Sequence, residues 1–139
     1  MSFHLPPHAA WLTAMCLVSG YAFWRGGEPE RLTAVANLAA WLGTLLAENR
    51  RTPFDPQLAM VWVDAGFLAF MLMLALSRDR IWLLFAAAFQ LLALVTHLAI
   101  IADEGVRSVA YLRSLTIWGY LFLASLAVGT WESARRPAA

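Results

Sequence analysis

Residues 58–131 contain three apolar segments, LAMVWVDAGFLAFMLMLALS (58–77), IWLLFAAAFQLLALVTHLAIIA (81–102) and SVAYLRSLTIWGYLFLASLAVGTW (108–131), separated only by the charged turns RDR (78–80) and DEGVR (103–107). Each segment is close to the roughly 20 residues that an α-helix needs to cross about 30 Å of hydrocarbon. Three such segments in succession predict an all-α fold, a bundle of transmembrane helices that pack against one another.

The composition favours the same fold. Hydrophobic residues make up 61% of the chain and charged residues 14%, whereas a soluble domain carries roughly 25% charged residues. The formal net charge is only +1, so we expect no basic face for nucleic acid. The single cysteine, Cys16, forms no intrachain disulfide, and no Cys/His pair predicts a metal site. All ten basic residues are arginine, and together with the abundant alanine this favours a bacterial origin.

The N-terminal half adds two less regular segments. Residues 8–24 follow Pro6 and Pro7, which suit the start of a helix, and predict a retained span. Residues 32–47 provide only about 24 Å of helix, which leaves two alternatives: a fifth span, or four spans with this segment lying in the interface. We predict one transmembrane domain with five spans, at about 8–24, 32–47, 57–77, 81–102 and 108–131.

Arginine placement predicts the orientation of that bundle. With five spans, one side carries six arginines and the other side three; the six are Arg25, Arg31, Arg78, Arg80, Arg135 and Arg136, and the three are Arg50, Arg51 and Arg107. Cytoplasmic loops carry an excess of basic residues. The pattern therefore predicts a multi-pass protein of a bacterial inner membrane, with its N-terminus outside and its C-terminus in the cytoplasm.

Polar residues inside the spans form one candidate site. Asp64, His97 and Arg113 lie at similar depths below the same membrane surface, and Gln90 shares a helix face with His97. Buried charges in lipid turn inward and pair, so we predict a buried polar cluster of Asp64, Gln90, His97 and Arg113 around an Asp64–Arg113 ion pair. Two alternatives remain open: a proton, ion or small-ligand site, or an Arg113 that extends to the interface while Asp64 lies in a water-filled dimple.

A further possibility concerns His97 alone. Ala93 lies one turn before His97, and a flat macrocycle such as haem or a chlorin needs a small residue there to reach an axial imidazole. No second intramembrane histidine is well placed, which argues against a haem held by two histidines of this chain. The expectation is therefore no cofactor and no metal, with haem or chlorin ligation by His97 as the alternative.

These features favour a non-catalytic role. The chain has no recognisable enzyme motif, and small residues recur at four-residue spacing, which allows close helix contacts with other subunits. We expect an accessory or scaffolding subunit whose partners are the lipid bilayer and either other membrane subunits or further copies of itself. The first alternative is a homo-oligomeric channel or transporter that uses Asp64, His97 and Arg113. The second is a haem- or pigment-binding membrane subunit.

Overall fold

The structure is a computed structural model that describes residues 7–49, 56–103 and 108–136. Within those ranges the chain forms five α-helices: α1 (Pro7–Arg25), α2 (Glu28–Asn49), α3 (Pro56–Ser77), α4 (Ile81–Ala102) and α5 (Ser108–Arg135). The all-α prediction is confirmed. In this described part of the chain, three helical segments are long and apolar enough to cross a membrane, namely Leu58–Ser77, Ile81–Ala99 and Arg113–Arg135. They support a membrane protein; neither α1 nor α2 is among them.

Helix α2 begins earlier than the sequence predicts. It has 22 residues, or about 33 Å of helix, because its charged first turn, read as part of a loop, is helical. Glu28 and Glu30 lie in that turn, where negative charge interacts favourably with the helix dipole. The Glu30 side chain also accepts a hydrogen bond from the backbone N–H of Gly27, at 2.8 Å. This is the carboxylate half of a capping box, and it stabilises the start of the helix.

The five helices form a closed ring. Each helix packs against the next along the chain, α1 packs against α5, and α2 makes a smaller contact with α5 across the ring. Only a few residues separate successive helices in the sequence, so neighbours along the chain are antiparallel. We call the end where α1, α3 and α5 begin and α2 and α4 finish the first end, and the opposite one the second end. Because the ring closes, every helix has one face directed toward a common centre.

Trp82 of α4 connects α2, α4 and α5 near the second end. Its indole lies so close to Gly129 of α5 that a Cβ there would be 2.4 Å from ring atoms. Its Nε1–H donates a hydrogen bond to Oε1 of Glu30, at 3.2 Å. Glu30 is 0% exposed. Its carboxylate accepts hydrogen bonds from Trp82 and Gly27 within the protein. Large apolar residues such as Trp62 and Leu76 instead face outward, as expected for helices surrounded by lipid.

Candidate functional site

A cavity of about 530 Å³ lies at the centre of the ring, and all five helices contribute to its wall. The wall is mainly apolar and aromatic; its aromatic residues are Trp11, Trp41, Phe67, Phe89, Trp118 and Phe122. Pockets that bind small molecules have volumes of roughly 300–1,000 Å³ and combine apolar walls with a few polar groups. The central cavity meets both criteria, so its polar groups define the candidate site.

A carboxylate–imidazole pair forms part of this wall. His97 Nε2 lies 2.8 Å from Oδ2 of Asp64. The Gln90 side-chain amide donates a hydrogen bond to the other carboxylate oxygen, Oδ1, at 3.1 Å. The His97 and Asp64 side chains are 8% and 20% exposed. Three of the four residues in the predicted cluster therefore lie together, with each oxygen of Asp64 bound by one side chain of α4.

The α3–α4 hairpin explains how these residues meet. The short Arg78–Arg80 turn holds the two helices antiparallel, so Asp64 lies opposite the 90–97 stretch of α4. Gln90, Ala93 and His97 are separated by three and four residues, the spacing of one helix face. Ala93 lies on the cavity wall between the two polar residues. Its small side chain leaves space in front of the carboxylate.

Arg113 does not join this cluster. Its side chain is exposed, and among the residues that the structure describes Asp64 is bound by His97 and Gln90 instead. Helix α5 faces the cavity with Leu115, Trp118 and Phe122, whereas the spacing of Arg113, Thr116 and Tyr120 places these three residues on another face. That face is exposed. The predicted Asp64–Arg113 ion pair is therefore replaced by an Asp64–His97 pair, because matched depth does not determine which way a helix is rotated.

Two parts of the wall were not predicted as site residues. Asn37 of α2 lines the cavity, and its buried Nδ2 has no hydrogen-bond partner among the described atoms. Trp118 donates its Nε1–H to Oγ1 of Thr96, at 3.1 Å, which fixes the indole on the wall. Thr33, Asn37 and Thr44 are separated by four and seven residues, which places them on one face of α2. That polar face is the signal in the sequence from which Asn37 could have been found.

The geometry of the site bears on whether it could bind a metal ion or haem. In residues 7–49, 56–103 and 108–136, no three His, Cys, Asp or Glu residues come together as a metal-binding group. His97 Nε2 is directed at Asp64. Axial ligation of haem or chlorin through that nitrogen would require His97 to leave the carboxylate. The arrangement instead suits a hydrogen-bonding or charged group of a ligand beside Asp64.

Comparison with protein-family models, curated proteins and solved structures finds no match to this chain. Any assignment of function therefore rests on the chemistry of the cavity.

Proposed function

We propose that this chain is a non-catalytic integral membrane protein that binds a small, largely apolar molecule in its central cavity. The observation that carries the proposal is the Asp64–His97 pair on the wall of a cavity of about 530 Å³. Aromatic side chains would supply contact area, and Asp64 would fix the orientation of the ligand.

The energetics of the pair support a ligand-binding role over a purely structural one. Polar groups inside apolar helices are costly and are often functional. Replacing a buried ion pair by well-packed apolar residues is commonly neutral or stabilising, so Asp64 and His97 are not needed merely to hold α3 and α4 together. A carboxylate on the wall of a cavity can contact a bound ligand, whereas a carboxylate enclosed in the core cannot.

Filling the cavity tests this proposal. We expect neopentylbenzene, a neutral apolar probe, to raise the melting temperature of the detergent-solubilised protein, because a ligand at 100 times its Kd stabilises by about 2.7 kcal/mol. Ala93→Trp places an indole in the cavity and should abolish the shift. Ala88→Trp is the matched control, since Ala88 lies on the same helix and faces outward. Equal shifts in both variants would show that the probe acts through the micelle, which contradicts the proposal.

We also propose that all five helices span a bacterial inner membrane, with the N-terminus outside. The length of α2, 22 residues, supports this topology because about 33 Å of helix is sufficient to cross the hydrocarbon. A reporter active only outside the cytoplasm should be active when inserted after Pro53 and silent when inserted after Gly27 or fused after Ala139. Equal activity after Gly27 and after Pro53 would contradict a spanning α2.

A role as an accessory or scaffolding subunit is the second candidate, and two glycines favour it. Gly20 and Gly66 lie within helices, yet a Cβ added to either would meet nothing within 4 Å. Glycine inside a helix costs roughly 0.5–1 kcal/mol relative to alanine, and close contact with another membrane helix would explain its use. Purification in a gentle detergent should then recover foreign membrane subunits, and Gly66→Leu should release them.

Ion flux through the pure protein, abolished by Asp64→Asn, would instead favour a channel or transporter.

A further inference from the structure

We propose that the central cavity selects organic cations with an apolar body. This inference rests on the proposed function and names the ligand class of the same site. It follows from the charges, the aromatic groups and the hydrogen-bonding capacity of the wall.

The first step is the charge of the wall. From α3 and α4, the titratable groups that line the cavity are Asp64 and His97; the lining residues of α1, α2 and α5 are apolar, aromatic or uncharged. Arg113 is exposed on the other side of α5. Among the described residues that line the cavity, Asp64 is the one with an acidic side chain. A charge in a mainly apolar environment is stabilised by an opposite charge, which a cationic ligand would supply.

The second step is the aromatic surface. Trp11, Trp41 and Trp118 line the cavity from α1, α2 and α5, while Asp64 lies on α3. Cations are attracted to the face of an aromatic ring, most strongly to tryptophan. A cation in the cavity would therefore have a carboxylate on one side and indoles on the others. A neutral ligand would gain only apolar contact, and an anion would be repelled by Asp64.

The third step is the remaining hydrogen-bonding capacity. Each carboxylate oxygen of Asp64 accepts one side-chain hydrogen bond, from Gln90 or from His97, and a carboxylate oxygen can accept two. The amide of Gln90 and Nε2 of His97 are directed at Asp64. The capacity left at Asp64 is therefore that of an acceptor, which fits a ligand N–H or the positively charged methyl groups of a quaternary ammonium. The unpartnered Nδ2 of Asn37 on α2 is a donor at another part of the wall.

The experiment compares benzyltrimethylammonium with neopentylbenzene, its neutral isostere, and with phenylacetate as the anion. Binding to the purified protein in a nonionic detergent is measured by calorimetry. We expect the cation to bind more tightly than its neutral isostere, and Asp64→Asn should reduce that preference at least tenfold. Glu28→Gln, which alters an exposed carboxylate, is the matched control and should leave the preference unchanged.

The outcomes separate this inference from the proposed function. If cation and isostere bind equally, cation selectivity is wrong while the small-molecule site stands. If no probe binds, or if Ala93→Trp leaves binding unchanged, both proposals are wrong. Tighter binding of phenylacetate would also overturn the inference. The preference for the cation is measured on the unsubstituted protein, so the test does not depend on the folding of the Asp64 variant.

Discussion

Replacing Glu30 by alanine is expected to destabilise the protein several times more than the same change at Glu28, two residues earlier in the same turn. Glu30 is 0% exposed, and its loss leaves two donors without an acceptor, the backbone N–H of Gly27 and the indole N–H of Trp82. An unsatisfied buried donor costs about 1–3 kcal/mol. The Glu28 side chain is 63% exposed in its ion pair with Arg78, and surface ion pairs contribute only about 0–1 kcal/mol.

The two glutamates form a matched pair for measurement. The free energy of unfolding in mixed micelles should fall by several kcal/mol for Glu30→Ala, on the order of the two lost hydrogen bonds, and hardly at all for Glu28→Ala. Glu30→Gln keeps a side-chain acceptor and should lie between them. Trp82→Phe combined with Glu30→Ala should cost less than the sum of the two single changes, since the Trp82 donor is already gone. Equal losses at Glu28 and Glu30 would show that the buried hydrogen bonds contribute little.

Much of the fold was readable from the sequence because apolar length and tight turns are local properties. The three long apolar segments predicted the helices α3, α4 and α5, and the RDR turn predicted that α3 and α4 pack as neighbours. The charged first turn of α2 was missed for a physical reason. The length of an apolar segment does not reveal that a charged stretch begins the helix. In that stretch Glu30 accepts a hydrogen bond from Trp82, which lies on another helix.

The site was predictable in part. Residues on one hairpin have their relative positions fixed by a single turn, and Asp64, Gln90 and His97 meet as expected. Arg113 lies beyond a second turn, and its direction depends on the rotation of α5, which is set by the packing of Trp118 and Gly119 against Thr96 and Trp11. The cavity could not be foreseen, because it exists only when α1 closes the ring against α5.

The Asp64–His97 pair gives the second large expected effect. Asp64→Leu or His97→Leu alone should each cost about 3–5 kcal/mol, because each change removes one partner of a buried pair. The double change replaces both by apolar groups and should cost far less than the sum. Arg113→Gln is the control: its side chain is exposed, so its effect should stay within about 0.5 kcal/mol.

A double-mutant cycle measures the coupling directly. The free energy of unfolding is determined for the two single variants and the double variant, and the same cycle is repeated for Asp64 with Arg113. The first cycle should show a coupling of 0.5–3 kcal/mol, roughly the range for residues in contact, and the second should be additive within about 0.5 kcal/mol. Additivity in the Asp64–His97 cycle would mean that the pair does not form in the folded protein. Coupling in the Asp64–Arg113 cycle would instead place the arginine at the carboxylate and remove the negative wall on which cation selectivity depends.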